Sequence, residues 1–450
     1  MIDRLITKPF DHQWESFIRG VKDGNLINFS EMGTGKTKVS IDLMKYWLLN
    51  GAKNALIICP KSALYNWESE CKMNGVTATV VRGLSAKRRA LLDEQICIMN
   101  YESARATSDY IFLHPFEILI LDESHKIKNH KAAVTKFFLK LRPTAKHVVI
   151  MTGTPVTDNL WDIWSQMHFA KPKQVFDENF YVFRHRYFVK VSDQLSIWKP
   201  YKDSDKRINE KIIGHIVRFT KEECLDLPEK VYTDLPLEFI PIQQQHYYEL
   251  ATDMLTRFDD KSVTTCEYKL TLSLRLSQVT SGHLRSNEGN LETFPTPKDE
   301  AVKDIMENST GRVVIFARFR PDIFKLTEIL KSYNPAVVFG DVVDRQAEID
   351  RFTNDEKCRV FIGQIQTAGI ALNLQVANTV VYYSQGYSLL ERMQSEDRCH
   401  RIGQKNKVQY INLLIKDSVD EVIWKCLKRK KVESEIVVDI HNHIKEVANA

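Results

Sequence analysis

Ser30-Glu31-Met32-Gly33-Thr34-Gly35-Lys36-Thr37 joins the apolar run Leu26-Ile27-Asn28-Phe29 to a helix-patterned segment from Lys38 to Leu49. A strand, a glycine-punctuated turn and a helix in that order make a cradle for a phosphate chain, because backbone N–H groups at a helix N-terminus face the anion. Gly33 and Gly35, with Thr34 between them, let the backbone pass close to the phosphates. Lys36 then supplies a point charge to the terminal phosphates, and the Thr37 hydroxyl stands where a magnesium ion takes an oxygen. Ser30 replaces the first glycine of the strict pattern, and a plain strand-to-helix turn would have a similar text.

A chain of 450 residues is too long for one core and predicts two or three domains. The net charge of +5 permits a nucleic-acid partner without demanding one, so any phosphate-binding surface must come from local patches. Eight scattered cysteines without Cys-x-x-Cys spacing predict reduced, mostly buried thiols and no zinc site. His441 and His443 lack a third ligand nearby. With no apolar signal core and no run of membrane-spanning length, the expectation is a soluble protein, cytoplasmic or nuclear and nucleoid-associated, not secreted and without a membrane partner.

Downstream of the glycine turn, apolar runs at 54–59, 95–100, 118–121 and 147–151 alternate with helix-patterned charged segments. That alternation predicts an α/β unit with a parallel sheet and sites at the carboxyl ends of its strands. Polar residues follow each run: Pro60-Lys61-Ser62, Asp122-Glu123-Ser124-His125, and Thr152-Gly153-Thr154-Pro155. Two adjacent carboxylates after Ile118-Leu119-Ile120-Leu121 cannot lie unpaired inside a sheet, so they belong at the strand's end beside the phosphate turn. There Asp122 can hold the hydration shell of magnesium and Glu123 can orient or deprotonate an attacking water; a capping pair at a helix start is the plainer alternative. Upstream, Gln13 could pair with an adenine edge, with Phe10 or Trp14 stacking on the ring. The cluster Tyr181, Phe183, Arg184, His185, Arg186 and Tyr187 reads equally as a nucleic-acid surface or a half-buried helical face.

Lys221 to Lys230, with Leu227-Pro228, reads as a link. A second alternating series follows at 312–316, 336–339, 358–362, 379–383 and 408–414, without a glycine-lysine turn of its own. Two such sheets with one phosphate site imply that the second closes over a ligand held by the first. Gln394 to Gln404 is its candidate segment: Arg398 and Arg401 are one helical turn apart and could bring charge to a transferring phosphoryl group.

The ordered set resembles the Swi/Snf-type ATPases of helicase superfamily two. It runs from the glutamine motif and Gly33-Thr34-Gly35-Lys36-Thr37 through Asn66-Trp67, Asp122-Glu123-Ser124-His125 with Ile127-Lys128-Asn129, and Thr152-Gly153-Thr154-Pro155 to Arg398-Cys399-His400-Arg401-Ile402-Gly403-Gln404. The resemblance spans about Ile6 to Lys430. It implies two tandem RecA-like parallel-sheet lobes with helical insertions and a C-terminal helical segment. The expected divisions are an ATP-binding lobe over 1–230, a helical linker over 231–300 belonging to the second lobe, and a helicase lobe over 301–450. It further implies ATP and Mg2+ as ligands, Gly369 beside Arg398 and Arg401 in nucleotide binding, and sequence-tolerant backbone contacts to double-stranded DNA from Lys61, Ser62, Asn100, Arg318, Gln364 and Gln366. Ala371 and Gln364 depart from the family's usual glycine and small hydroxyl residue. The implied activity is DNA-stimulated ATP hydrolysis driving translocation along duplex DNA by a compact motor. The alternatives are a strand-separating helicase and an ATP-gated nucleic-acid-binding scaffold.

Overall fold

The structure, a computed structural model, describes residues 8–156, 159–192, 197–225, 227–259, 266–285, 290–340, 342, 344–368, 374–401 and 403–429. The chain divides into two units, Met1–Asp226 and Leu227–Ala450.

The first unit is built on six parallel strands: β1 (Asn25–Asn28), β2 (Ala55–Cys59), β3 (Thr79–Val80), β4 (Ile96–Asn100), β5 (Ile118–Asp122) and β6 (His147–Met151). Their order across the sheet is β1-β6-β5-β2-β4-β3. Every residue of β2 is buried, because helices cover both faces of a parallel sheet. Alternate residues feed two cores: Leu56, Ile58, Leu119 and Leu121 meet Phe137 and Phe138, while Ile57, Cys59, Ile98 and Ile120 meet Ile41, Leu43 and Trp47. The last three belong to α2 (Lys36–Leu49), which follows α1 (Asp11–Asp23). Further along, the amphipathic helix Phe180–Tyr187 leads into an antiparallel hairpin, β7 (Phe188–Ser192) with β8 (Ile197–Pro200). Phe180, Phe183 and Tyr187 are buried while Tyr181, His185 and Arg186 are exposed, so this cluster is a half-buried helical face. The chain then returns to the sheet edge: Val217 N donates to Ile27 O at 2.8 Å, and Phe29 N donates to Val217 O at 2.8 Å.

The second unit has its own six parallel strands: β9 (Lys230–Leu237), then, after an antiparallel hairpin of β10 (His283–Arg285) and β11 (Leu291–Thr293), β12 (Arg312–Ala317), β13 (Ala336–Val338), β14 (Val360–Gln364), β15 (Ala377–Tyr382) and β16 (Val408–Ile415). The order is β13-β14-β12-β15-β16-β9. These are the two tandem RecA-like lobes expected of the sequence. The stretch 231–300 is not purely helical: besides helices Pro241–Asp259 and Cys266–Thr280 it contributes β9 and the hairpin. β9 lies at the sheet edge, where Pro236, a residue without an N–H, is tolerated. No described helix is long and apolar enough to cross a membrane. Of the basic run 428–431, Lys428 pairs with Asp234 at 2.7 Å, and Lys430 and Lys431 lie outside the described residues.

One buried ion pair holds the second unit together away from its sheet ends. Lys298, fully buried, places Nζ 2.7 Å from Asp420, whose other oxygen accepts from Thr280 Oγ1 at 2.9 Å. Truncating the lysine leaves a buried carboxylate without its counter-charge. Lys298→Ala is therefore expected to lower stability by about 3–5 kcal/mol, read as a reduced urea midpoint for the second unit's transition. A shift within the range of an exposed substitution would contradict this.

Candidate active site

The turn from Ser30 to Gly35 sits at the carboxyl end of β1 and leads into α2. Gly33 and Gly35 adopt φ of 81° and 84°, the left-handed region that glycine enters without strain. Lys36 Nζ folds back over the turn and donates to Ser30 O and Glu31 O, both at 2.8 Å. Thr34 O receives His12 Nε2 at 2.8 Å and Gln13 Nε2 at 3.2 Å, and Gln13 Oε1 receives Phe10 N at 3.1 Å. Gln13 is thus buried with its amide engaged by backbone, and what it visibly does is clamp the turn. A Cβ on Gly35 would lie 2.1 Å from Gln13 Nε2. Gly35→Ala, combining that clash with an unfavourable φ, is expected to weaken ATP binding by more than about tenfold, checked by titration with a fluorescent analogue; the strain involved is on the order of 1–3 kcal/mol.

Ser30 and Glu31 have a second engagement that sequence spacing does not display. Ser30 Oγ accepts from Phe219 N at 3.1 Å, Glu31 N donates to Phe219 O at 2.9 Å, and Glu31 Oε2 accepts from Lys221 N at 3.0 Å. The residue that breaks the glycine pattern therefore ties the turn to the segment 217–221.

Asp122 ends β5 at the same carboxyl end of the sheet. Its Oδ2 accepts from Trp67 Nε1 at 2.9 Å, its Oδ1 from Glu123 N at 2.9 Å, and its backbone oxygen from Tyr101 OH at 2.6 Å. Burial, then the adjacent Glu123 charge, raise the Asp122 carboxyl to about 6 against opposing contributions from Trp67 and Lys36. Glu123 has φ of 53°, unusual for a residue with a side chain. Its Oε2 lies 3.1 Å from Thr152 Oγ1 and 3.2 Å from His125 Nδ1. Burial pushes the Glu123 carboxyl up, but His125, Lys36 and Thr152 outweigh it and hold the group below its ordinary value. Thr152 Oγ1 also meets His125 Nδ1 and Thr154 N, each at 3.1 Å, so one hydroxyl joins the acid pair to the loop after β6. On the other side Ser124 Oγ donates to Gln166 Oε1 at 2.8 Å, and Gln166 Nε2 donates to Pro155 O at 2.6 Å.

These residues suit a magnesium ion. Asp122, partly buried and raised by burial and by the adjacent Glu123 charge, gains from a divalent cation, and the half-buried Thr37 stands in the first turn of α2. Among the described residues no three His, Cys, Asp or Glu side chains gather as a metal cage, so such an ion would rest on few protein oxygens and on phosphate and water, as magnesium does.

The expected DNA-contacting residues of this unit occupy neighbouring strand ends. Lys61, exposed, and Ser62 follow β2, while Asn100, paired in register with Cys59, closes β4. Asn100 Oδ1 caps the next helix, accepting from Ser103 N at 2.8 Å. In the second unit Gln364 is opposite Ala317 in register and its Nε2 donates to Arg318 O at 3.1 Å. The Arg318 guanidinium lies 4.1 Å from the Tyr387 ring centre, and Gln366 is exposed. Arg398 and Arg401 differ from expectation in one respect: the helix stops at Glu396, so they lie in the turn that follows it rather than on one helical face. Gln404 Nε2 holds that turn by donating to Gln375 O, Ala377 O and Cys399 O, and Gly403 makes it possible with φ of 98°. Gly369 and Ala371 lie outside the described residues.

A SNF2-related domain matches residues 16–283, and a helicase conserved C-terminal domain matches 297–403. The chain belongs to the SNF2-related family. Among curated relatives, this SNF2-related chain is 27% identical over 96% of its length to an uncharacterized ATP-dependent helicase of Mycoplasma genitalium, of which it covers 42%. It is 26% identical over 95% of its length to the SWI/SNF-related matrix-associated actin-dependent regulator of chromatin subfamily A-like protein 1 homolog of Caenorhabditis elegans, covering 61% of it. The chain thus spans less than two thirds of either relative. A solved structure, the Sulfolobus solfataricus SWI2/SNF2 ATPase core in complex with dsDNA, is 22% identical with a TM-score of 0.46, covering 99% of this chain and 96% of that one.

The acid pair and the glycine turn were readable in advance. Trp67, Tyr101, Thr152 and Gln166 as their supports were not singled out. A buried indole N–H or phenol needs an acceptor, which is the signal that could have found the first two.

Proposed function

We propose that this SNF2-related chain hydrolyses ATP when duplex DNA is bound and uses the cycle to move along the duplex. The observation that carries the reading is the gathering of Lys36, Asp122 and Glu123 at the carboxyl end of one sheet, where the Lys36 charge acts on both carboxyls. Lys36 and the N–H groups of 33–37 hold the phosphates, Asp122 and Thr37 hold the cation, and Glu123 orients and deprotonates water. A bound magnesium ion supplies Lewis acidity and charge neutralisation at the terminal phosphates. Arg398 and Arg401 add positive charge to the transferring phosphoryl group during turnover. Lys61, Ser62 and Asn100 in one unit, and Arg318, Gln364 and Gln366 in the other, grip DNA backbone, so binding is salt-sensitive and sequence-tolerant.

The test is ATPase rate titrated in parallel with duplex DNA, single-stranded DNA and RNA. Duplex is expected to stimulate most; equal rates with and without duplex overturn the reading. Displacement of a triplex-forming third strand, with the duplex left paired, distinguishes translocation from strand separation.

A further inference from the structure

A cavity of about 580 Å³ opens in the first unit where the turn after the acid pair, the start of helix Asp162–Ala170, helix Phe180–Tyr187 and the β7–β8 hairpin meet. Tyr181 and Arg184 of its lining belong to the aromatic and basic cluster of helix Phe180–Tyr187; none of the lining residues is among the expected ATP-binding residues or the backbone-gripping set of Lys61, Ser62, Asn100, Arg318, Gln364 and Gln366. Its volume falls within the range of small-ligand sites, roughly 300–1,000 Å³.

Three chemical features coincide there. Among the described lining residues are four basic side chains, Lys128, Lys131, Arg184 and Lys190, and one carboxylate, Asp162, whose Oδ2 is 4.0 Å from Lys128 Nζ. Its described lining thus holds more basic than acidic side chains. It also presents aromatic faces: the Arg184 guanidinium carbon is 4.0 Å from the Trp198 ring centre and 5.3 Å from that of Tyr181, and His130 stacks on Phe180 with centroids 3.6 Å apart. Finally, Arg184 Nε and His130 Nε2 are buried and have no hydrogen-bond partner among the described residues. Burial, then the charges of Lys131 and Arg184, depress His130 to about 4, so at neutral pH its ring is uncharged and pairs with either a donor or an acceptor.

We propose that this cavity binds an unpaired nucleotide, its phosphate on the lysines, its base against the Trp198–Arg184–Tyr181 layer and its polar edge on His130 Nε2. A paired base has both its face and its edge occupied within the duplex, so only an unpaired one offers all three features together. An acidic peptide would use the charge and leave the aromatic layer idle. The cavity also has a route to the acid pair. Helix Asp162–Ala170 lines the cavity with Asp162, binds Lys128 O through Ser165 Oγ at 3.1 Å, and reaches Ser124 and Pro155 through Gln166. The proposal goes beyond the motor reading and does not depend on turnover.

The experiment measures anisotropy of the full chain with labelled blunt duplex and with the same duplex carrying a short unpaired thymidine tail. The tailed duplex is expected to bind about tenfold tighter, within the range of one base stacked on aromatic side chains. Arg184→Gln removes that advantage and leaves blunt-duplex affinity unchanged. Because Arg184 is partly buried, the pair Lys131→Ala/Lys190→Ala, at exposed positions, is measured alongside with thermal midpoints. Thymidine monophosphate, titrated against a Lys36→Ala background that weakens the phosphate turn, distinguishes the sources. Competition by the mononucleotide without any tail preference, lost in Arg184→Gln, supports the same pocket filled by free nucleotide. Equal affinity for tailed and blunt duplex without mononucleotide binding overturns the proposal, as does occupancy by a polyglutamate peptide alone.

Discussion

Replacing Asp122 by asparagine is expected to abolish ATP turnover and, in the same protein, to raise the thermal midpoint of the ligand-free chain at neutral pH. The carboxyl is held at about 6 instead of the ordinary 3.8 by burial and by Glu123. As pH rises from 3.8 to 6 the unfolded chain releases this proton first, so the folded state binds more protons and stability falls across that window. The shift corresponds to at most about 3 kcal/mol lost by pH 7. Asparagine removes the ionisation but has one oxygen where the carboxylate offers two, so it serves Trp67 Nε1 or Glu123 N and not both. Losing one such bond returns roughly 1 kcal/mol, leaving a net gain of about 1–2 kcal/mol and a midpoint higher by several degrees. The gain should vanish below about pH 4, where the native aspartate is itself neutral. Scanning calorimetry of both proteins at pH 4 and pH 7, with ATPase assays at pH 7, checks it. A midpoint lowered at pH 7, or a gain of equal size at both pH values, would show that Asp122 is not the strained anion described here.

Asp122 is legible in the sequence because it ends an unbroken apolar run. Strands covered on both faces read as unbroken apolar runs, as Ala55–Cys59 and Ile118–Asp122 do, so a charge at the end of such a run marks a strand's exit. β9 lacks that mark: at the sheet edge its residues are only partly buried or exposed, so no unbroken apolar run announces it. Supports of the acid pair were hidden for a different reason. Trp67 reaches Asp122 across 55 positions and Gln166 reaches Ser124 across 42, distances along the chain that only the fold converts into contact. Ser30 looked like a defect in a phosphate motif and proves to be a hydrogen-bonding post for Phe219. The turn that carries Arg398 and Arg401 was read as helix, because nothing local in Arg398-Cys399-His400-Arg401 marks the stop at Glu396. What fixes the turn comes later in the chain, at Gly403 and Gln404.

Glu123→Gln is expected to lower turnover by about 10²–10⁴-fold while nucleotide affinity stays level or rises, since the substitution removes a negative charge near the phosphates and leaves the shape intact. The native carboxylate is prepared for a base's role by two opposing influences. Burial favours its protonated form, yet His125, Lys36 and Thr152 hold it below its ordinary value. Glutamine keeps an oxygen for the Thr152 hydroxyl but cannot take a proton from water, so the loss should fall on kcat and not on binding. Thr152→Val supplies the comparison. It removes the hydroxyl shared by Glu123, His125 and Thr154 N without touching the base, and should cause a smaller fall in kcat together with weaker stimulation by duplex DNA. Single-turnover assays with and without duplex, beside equilibrium binding of a fluorescent ATP analogue, separate these outcomes. If Glu123→Gln leaves both turnover and its DNA dependence unaltered while Lys36→Ala still abolishes nucleotide binding, the pocket is a switch and not an engine.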